Sequence, residues 1–167
     1  MPYSLTAIGG KPTENGLKRA QTFGFVCELA RSSQFHSQIP TGSMIGMLDS
    51  AVQLSQIRVY FNNYGECMGY VIWALLSQDV EQRLLRGTDL SLDSTEWNEG
   101  SSLWIVDFFV RRGSLPYVLL DMRDNLFANQ ETLTYFRVKN GKRVSKRLSR
   151  SDGGNFFRKT PSQTTTA

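Results

Sequence analysis

The chain has 167 residues, 40% of them hydrophobic and 20% charged, with a formal net charge of +4. This is one domain with its own core, and the composition excludes a disordered or fibrous class. No apolar run approaches the ~20 residues of a membrane span. The first residues show no basic-then-apolar leader, and Cys27 and Cys67 have neither metal-ligand spacing nor the numbers for a disulfide framework. The expected compartment is therefore the reducing cytoplasm.

Residues 1–14 are polar, contain Gly9-Gly10 and Pro12, and read as a flexible N-terminal arm. Asn15 is positioned to cap a helix over 16–31 that turns Leu17, Ala20, Phe23, Val26, Cys27, Leu29 and Ala30 towards the core. A polar break comes next (SSQFHS), and Thr41 after Pro40 is placed to cap a second helix through Met44, Met47, Leu48, Ala51 and Leu54. The period then changes. QIRVYFNNY (56–64) and CMGYVIWALL (67–76) are β-rich runs around an Asn-Asn-Tyr-Gly-Glu turn. SQDVEQRLLR reads as a short helix capped by Ser77 and closed by Gly87, and residues 87–101 as a long polar connection.

The run SLWIVDFFVRRG (102–113) is strongly apolar up to Val110 and ends at Gly113. Its β-branched and aromatic content predicts a strand covered on both faces near the middle of a sheet. Asp107 stands at its centre, where a carboxylate must find partners or bear a severe desolvation cost. After Gly113-Ser114 a helix with Pro116 in its first turn runs through Tyr117, Leu120 and Leu126. Residues 133–138 and 143–148 then flank Asn140-Gly141, the strongest short hairpin signal present. The folded domain is expected to span 15–150, and 151–167, with Gly153-Gly154 and the end TPSQTTTA, to be a disordered C-terminal tail. The order of elements predicts an α+β domain with a mostly antiparallel, mixed sheet and helices packed on it.

Charge is unevenly placed. Between Arg137 and Lys159 there are nine basic residues against Asp152 alone. Such a segment is either a solvated surface or a docking site for an acidic partner.

His36 is the only histidine, and a lone histidine is usually a packing or surface residue. Three features single it out. It lies in a polar break between helices, Ser33 precedes it by three residues, and Asp107 is available on a rigid strand. A serine, a histidine and an aspartate are the parts of a nucleophile–base–orienter set, although single scattered copies do not define one. Asp107 also has a purely structural reading, as a tie for backbone amides or an arginine. No Gly-rich nucleotide loop, HExxH or paired CxxC is present, so no metal is expected.

The segments SSQFHSQIPTGSMIGMLDSAVQLSQIRVYFNN, YGECMGYVIWALLSQDVEQRLL and STEWNEGSSLWIVDFFVRRG resemble the bacterial RTX toxin-activating lysine acyltransferases. The resemblance is carried by Ser33 and His36; by Gly69, Tyr70, Trp73 and Ala74; by Trp97 and Gly100; and by Trp104, Val106 and Asp107. It covers residues 30–150. It implies a GNAT-like acyltransferase fold, a fatty acyl group on acyl carrier protein as co-substrate with no cofactor, and an internal lysine of an RTX-type protoxin as acceptor. By the same resemblance His36 and Asp107 are catalytic with Ser33 in support, and the protein is a cytoplasmic homodimer. The last hairpin has only Tyr135 and Phe136 among its bases, a thin stacking platform, so no nucleic-acid partner is expected.

Those assignments are chemically coherent. A lysine amine is protonated near neutral pH and needs a base in order to attack a thioester; His36 suits that task, with Asp107 orienting its ring. Arg111, Arg112 and the Arg143–Lys146–Arg147 patch are the candidate docking residues for an acidic carrier. Met44, Met47, Phe108 and Phe109 are candidates to line an acyl groove. The chain departs from the family pattern in being shorter and more basic over 108–116, and short and very basic after Val144. An acyl-CoA-dependent GNAT-type transferase acting on another amine and a non-enzymatic basic binding module are the alternative readings.

Overall fold

Thr13 opens the first helix by accepting a hydrogen bond from the Gly16 amide at 3.1 Å, so the cap is Thr13 and not the expected Asn15. The computed structural model describes residues 13–87, 91–152 and 156. The expected arm and tail lie almost entirely outside them. Helix α1 (Glu14–Arg31) buries Val26, Leu29 and Ala30. Leu17, Ala20 and Cys27, expected on the core side, are exposed. Only the second half of α1 lies on the sheet; the first half runs beside α2 (Thr41–Gln53), to which an Arg19–Asp49 ion pair ties it. Helix α2 begins without a side-chain cap. Pro40 occupies the cap position and Thr41 is already helical, because the proline ring sets the entry dihedral and its carbonyl accepts from the Met44 amide.

Strands β1 (Ile57–Phe61) and β2 (Cys67–Leu76) form the expected hairpin. β1 ends before 64 because the Asn62 side chain accepts from the amides of Tyr64 and Glu66, both at 2.9 Å, diverting the chain into the turn. Helix α3 (Gln78–Arg86) has the expected Ser77 cap, and Gly87 closes it in the left-handed region at φ 71°. Strand β3 (Ser102–Val110) leads to α4 (Leu115–Asp121), which continues as a π-helical turn over Met122–Leu126. Strands β4 (Thr132–Lys139) and β5 (Lys142–Ser149) close the fold around Asn140 and Gly141, both at positive φ as a two-residue hairpin turn requires.

The five strands form one mixed sheet in the order β1-β2-β3-β4-β5, antiparallel except for the parallel β3–β4 pair. With four helices among the described residues, this is the expected α+β architecture, consistent with a GNAT-like fold. Helices α1, α2 and α3 cover one face, over Val26, Leu29, Leu48, Tyr70, Ile72 and Trp104. Helix α4 covers the other, over Val71, Leu103, Val118, Met122 and Leu133. Two glycines allow close approach at β2. A Cβ at Gly69 would stand 2.7 Å from the Phe109 carbonyl oxygen, and one at Gly100 would stand 2.1 Å from that of Leu76. Among the described residues no helix is long and apolar enough to cross a membrane.

Two irregularities in β3 shape its surroundings. Ile72 of β2 pairs with Asp107 while the next residue, Trp73, pairs with Ile105, so Val106 is an extra residue in the strand. Such a bulge reverses the side-chain alternation beyond it. Trp104 and Val106 face α1–α3, and so does Phe109, while Ile105 and Phe108 face α4. Secondly, β3 and β4 are paired only at Trp104–Thr134 and Ile105–Tyr135, and beyond these the strands separate.

Candidate active site

The polar break after α1 is a tight turn. The Ser32 and Ser33 amides bond back to the Leu29 and Ala30 carbonyls, and His36 opens a short 3-10 turn, His36–Gln38. Ser33 Oγ accepts from the His36 amide at 3.2 Å and lies 2.7 Å from His36 Nδ1. His36 is only 7% exposed despite its polar neighbours. Its ring packs edge-on against Phe35, Tyr70 and Phe109, an arrangement that holds the ring plane.

The other ring nitrogen, Nε2, is 2.8 Å from Asp107 Oδ1. The bulge at Val106 makes this contact, because it puts Asp107 on the same face as Phe109 and hence towards α1. Asp107 has two further donors: the Phe108 amide to Oδ1 at 2.9 Å and the Tyr70 hydroxyl to Oδ2 at 2.7 Å. A carboxylate only accepts, so Nε2 carries the hydrogen in this arrangement and Nδ1 is left to accept from Ser33. The result is a continuous chain, Ser33–His36–Asp107–Tyr70. The first three were candidates from the sequence. Tyr70 was visible there only as part of the family resemblance. It is fully buried, and burial, reinforced by the Asp107 charge, raises its phenol well above the ordinary value, so it remains a donor.

His36 and Asp107 line a cleft of about 800 Å³ between the diverging halves of β3 and β4. Arg143 and Lys146 also line it, together with Arg137, which the sequence did not single out. The remaining candidate bases lie elsewhere. Arg111 donates its amide to the Met68 carbonyl and pairs with Glu28 at 3.5 Å, and Arg112 is exposed in the turn after β3. Arg147 turns to Thr132 and Glu81. Of the four residues expected in an acyl groove, only Phe108 lines the cleft. Met44 is buried in the core under α1 and α2, with Met47 and Phe109 packed against it, because the bulge sends Phe109 to that face and Phe108 to the other. Among the described residues no three metal-ligating side chains gather.

A sequence model of the RTX toxin acyltransferase family matches residues 15–151. The chain belongs to that family. It is 27% identical over 132 residues to uncharacterized protein sll0720 of Synechocystis, covering 78% of this chain and 87% of the relative. It is 23% identical over 107 residues to lysine-acyltransferase RtxC of Vibrio cholerae, covering 64% of this chain and 69% of the relative. Membership in the RTX toxin acyltransferase family makes the protein an acyltransferase associated with toxin activation.

Proposed function

We propose that the protein transfers a fatty acyl group from acyl carrier protein to lysine ε-amino groups of an RTX-type protoxin, in the cytoplasm and as a homodimer. The observation that carries this reading is the Ser33–His36–Asp107 chain of hydrogen bonds beside a large cleft with Arg137, Arg143 and Lys146 in its lining. A donor thioester lying in that cleft presents its carbonyl carbon to a lysine amine next to His36. As the amine attacks, its proton passes to the imidazole; as the thiolate leaves, the imidazolium returns it. Both ring nitrogens are already engaged, so His36 must release one partner to accept the proton. The Ser33 hydroxyl is the one that turns away, because it is uncharged and rotates freely, whereas the bond to Asp107 is charge-assisted. Asp107 then faces a full positive charge and stabilises it. The basic residues suit the phosphodiester arm and acidic surface of a carrier protein.

The test is reconstitution. Purified protein, an RTX protoxin and either acyl carrier protein thioesters or acyl-CoA are combined, and lysine acylation is read by mass spectrometry. Acylation from the carrier protein, abolished by His36→Ala with the circular dichroism spectrum retained, is expected. Transfer from acyl-CoA alone would overturn the donor, and undiminished turnover in His36→Ala would overturn the site.

A further inference from the structure

The cleft does not lie on one side of the sheet. Trp104, Val106 and Phe136 belong to the face under α1–α3, while Ile105, Phe108, Leu133 and Met122 belong to the face under α4, and all of them line the same space. It can reach both faces because β3 and β4 stop pairing after Ile105–Tyr135, leaving Val106 to Phe108 opposite Phe136 to Val138 with open space between. His36 and Asp107 are on the α1 side of this opening. On the α4 side the innermost lining is apolar: Ile105, Phe108, Leu119, Met122, Leu133 and Leu148. By strand alternation Tyr135, Lys146 and Arg137 share that face further along β4 and β5. Of the bases in the lining, Arg137 and Arg143 lie nearer the β4–β5 turn, and Lys146 lies in mid-strand opposite Tyr135.

Resting on the acyl-transfer reading, we propose that the acyl chain passes through the sheet, and that the α4 side is the chamber that sets its length. The thioester stays beside His36, the chain runs through the gap between β3 and β4, and its methyl end stops against Leu119 and Met122. These two residues are three apart on α4 and its π-helical continuation, so they stand on one side of it. Met122 is 3% exposed and Leu119 half-buried. A cleft of about 800 Å³ is in the range of sites that enclose a whole small ligand. Each methylene that fits an apolar chamber gains about fourfold in affinity, and the first that does not fit loses that gain or more. The outcome is a sharp chain-length optimum, set by residues remote from the chemistry.

The test uses the full chain with octanoyl to stearoyl acyl carrier protein thioesters. Leu119→Trp, which fills the chamber, is expected to shift the kcat/KM optimum to shorter chains; Met122→Ala, which deepens it, is expected to shift the optimum to longer ones. A second measurement needs no turnover: cis-parinaric acid fluorescence reports occupancy, and Leu119→Trp is expected to weaken its binding at least tenfold. Leu119→Phe, a milder filling, carries the test if the larger change unfolds the protein. Folded variants with the wild-type chain-length profile and wild-type cis-parinarate affinity would overturn the chamber while leaving acyl transfer intact. Altered cis-parinarate binding in a protein that transfers no acyl group would keep the chamber and remove the acyl-transfer reading.

Discussion

Tyr70 and Asp107 are joined across the β2–β3 pair by a hydrogen bond of 2.7 Å, from a fully buried hydroxyl to the carboxylate oxygen that His36 does not use. The carboxylate is therefore held at both ends, Oδ1 by His36 and the Phe108 amide, Oδ2 by Tyr70. Its orientation is fixed before any substrate arrives, which is what an orienting group requires.

Asp107→Asn keeps the shape but not the charge. An amide has only one acceptor oxygen for these three donors, so its NH2 must face either Tyr70 or His36. Turnover is expected to fall ~10²- to 10³-fold, less than the roughly 10⁴-fold cost of the same change in a Ser-His-Asp hydrolase. Turnover and melting temperature measured on one sample separate the roles: an unstable but fully active variant would make Asp107 structural.

Ser33→Ala removes the partner of Nδ1 and the acceptor of the His36 amide. A loss of ~10- to 100-fold is expected, the scale of a positioning contact. The acceptor amine can attack the thioester directly, so no acylated serine is needed. Incubation with donor alone, then intact-mass measurement, is expected to show no ester; an acyl-Ser33 adduct would reverse this assignment.

The raised phenols give stability a defined alkaline limb. Tyr70 and Tyr60 are both held neutral above the ordinary value of 10.0, chiefly by burial and then by Asp107 and Asp121 respectively. Below that pH their contribution is fully present. Above it the unfolded chain ionises and the folded chain does not, so stability is lost as pH rises towards the raised values. Melting temperature is expected to decline above about pH 10, and less steeply in Tyr70→Phe. An identical slope in the variant would count against the buried, neutral phenol.

Gly100→Ala drives a methyl group into the Leu76 carbonyl, 2.1 Å away. The loop carrying Trp97 must then lift from the end of β2, at a cost of about 1–3 kcal/mol. Gly24, in mid-α1 with open space around it, is the control. Gly24→Ala is expected to stabilise by about 0.5–1 kcal/mol. Thermal denaturation of the two variants is expected to move in opposite directions.

What could be read from the sequence was local. β2, α3 with both its caps, and the Asn140-Gly141 hairpin arise from period, capping and turn chemistry over a few residues. Ser33, His36 and Asp107 could be named because each is chemically out of place: two in a polar break, one in an apolar strand. What could not be read depends on partners distant in the chain. The extra residue at Val106 exists only relative to β2, so simple alternation misassigns Phe108 and Phe109 and with them the proposed groove. Tyr70 looks like any strand aromatic until β3 puts a carboxylate beside it. The asymmetric burial of α1 depends on where α2 lies, which no feature of the helix itself reveals.

Every strand of the sheet lies beside its neighbour in the chain, and that order bears on how the molecule is made. During synthesis no segment has to wait for a pairing partner encoded far downstream. The β1–β2 hairpin can form first and accept β3 as it leaves the ribosome, closing the His36–Asp107 bond while β4 and β5 have yet to emerge. The parallel step from β3 to β4 is the one connection that is not a hairpin or simple antiparallel return, and it needs a crossover carried by α4. The reactive pair is thus assembled before the walls that admit its substrate, and the nascent chain acquires its binding cleft last.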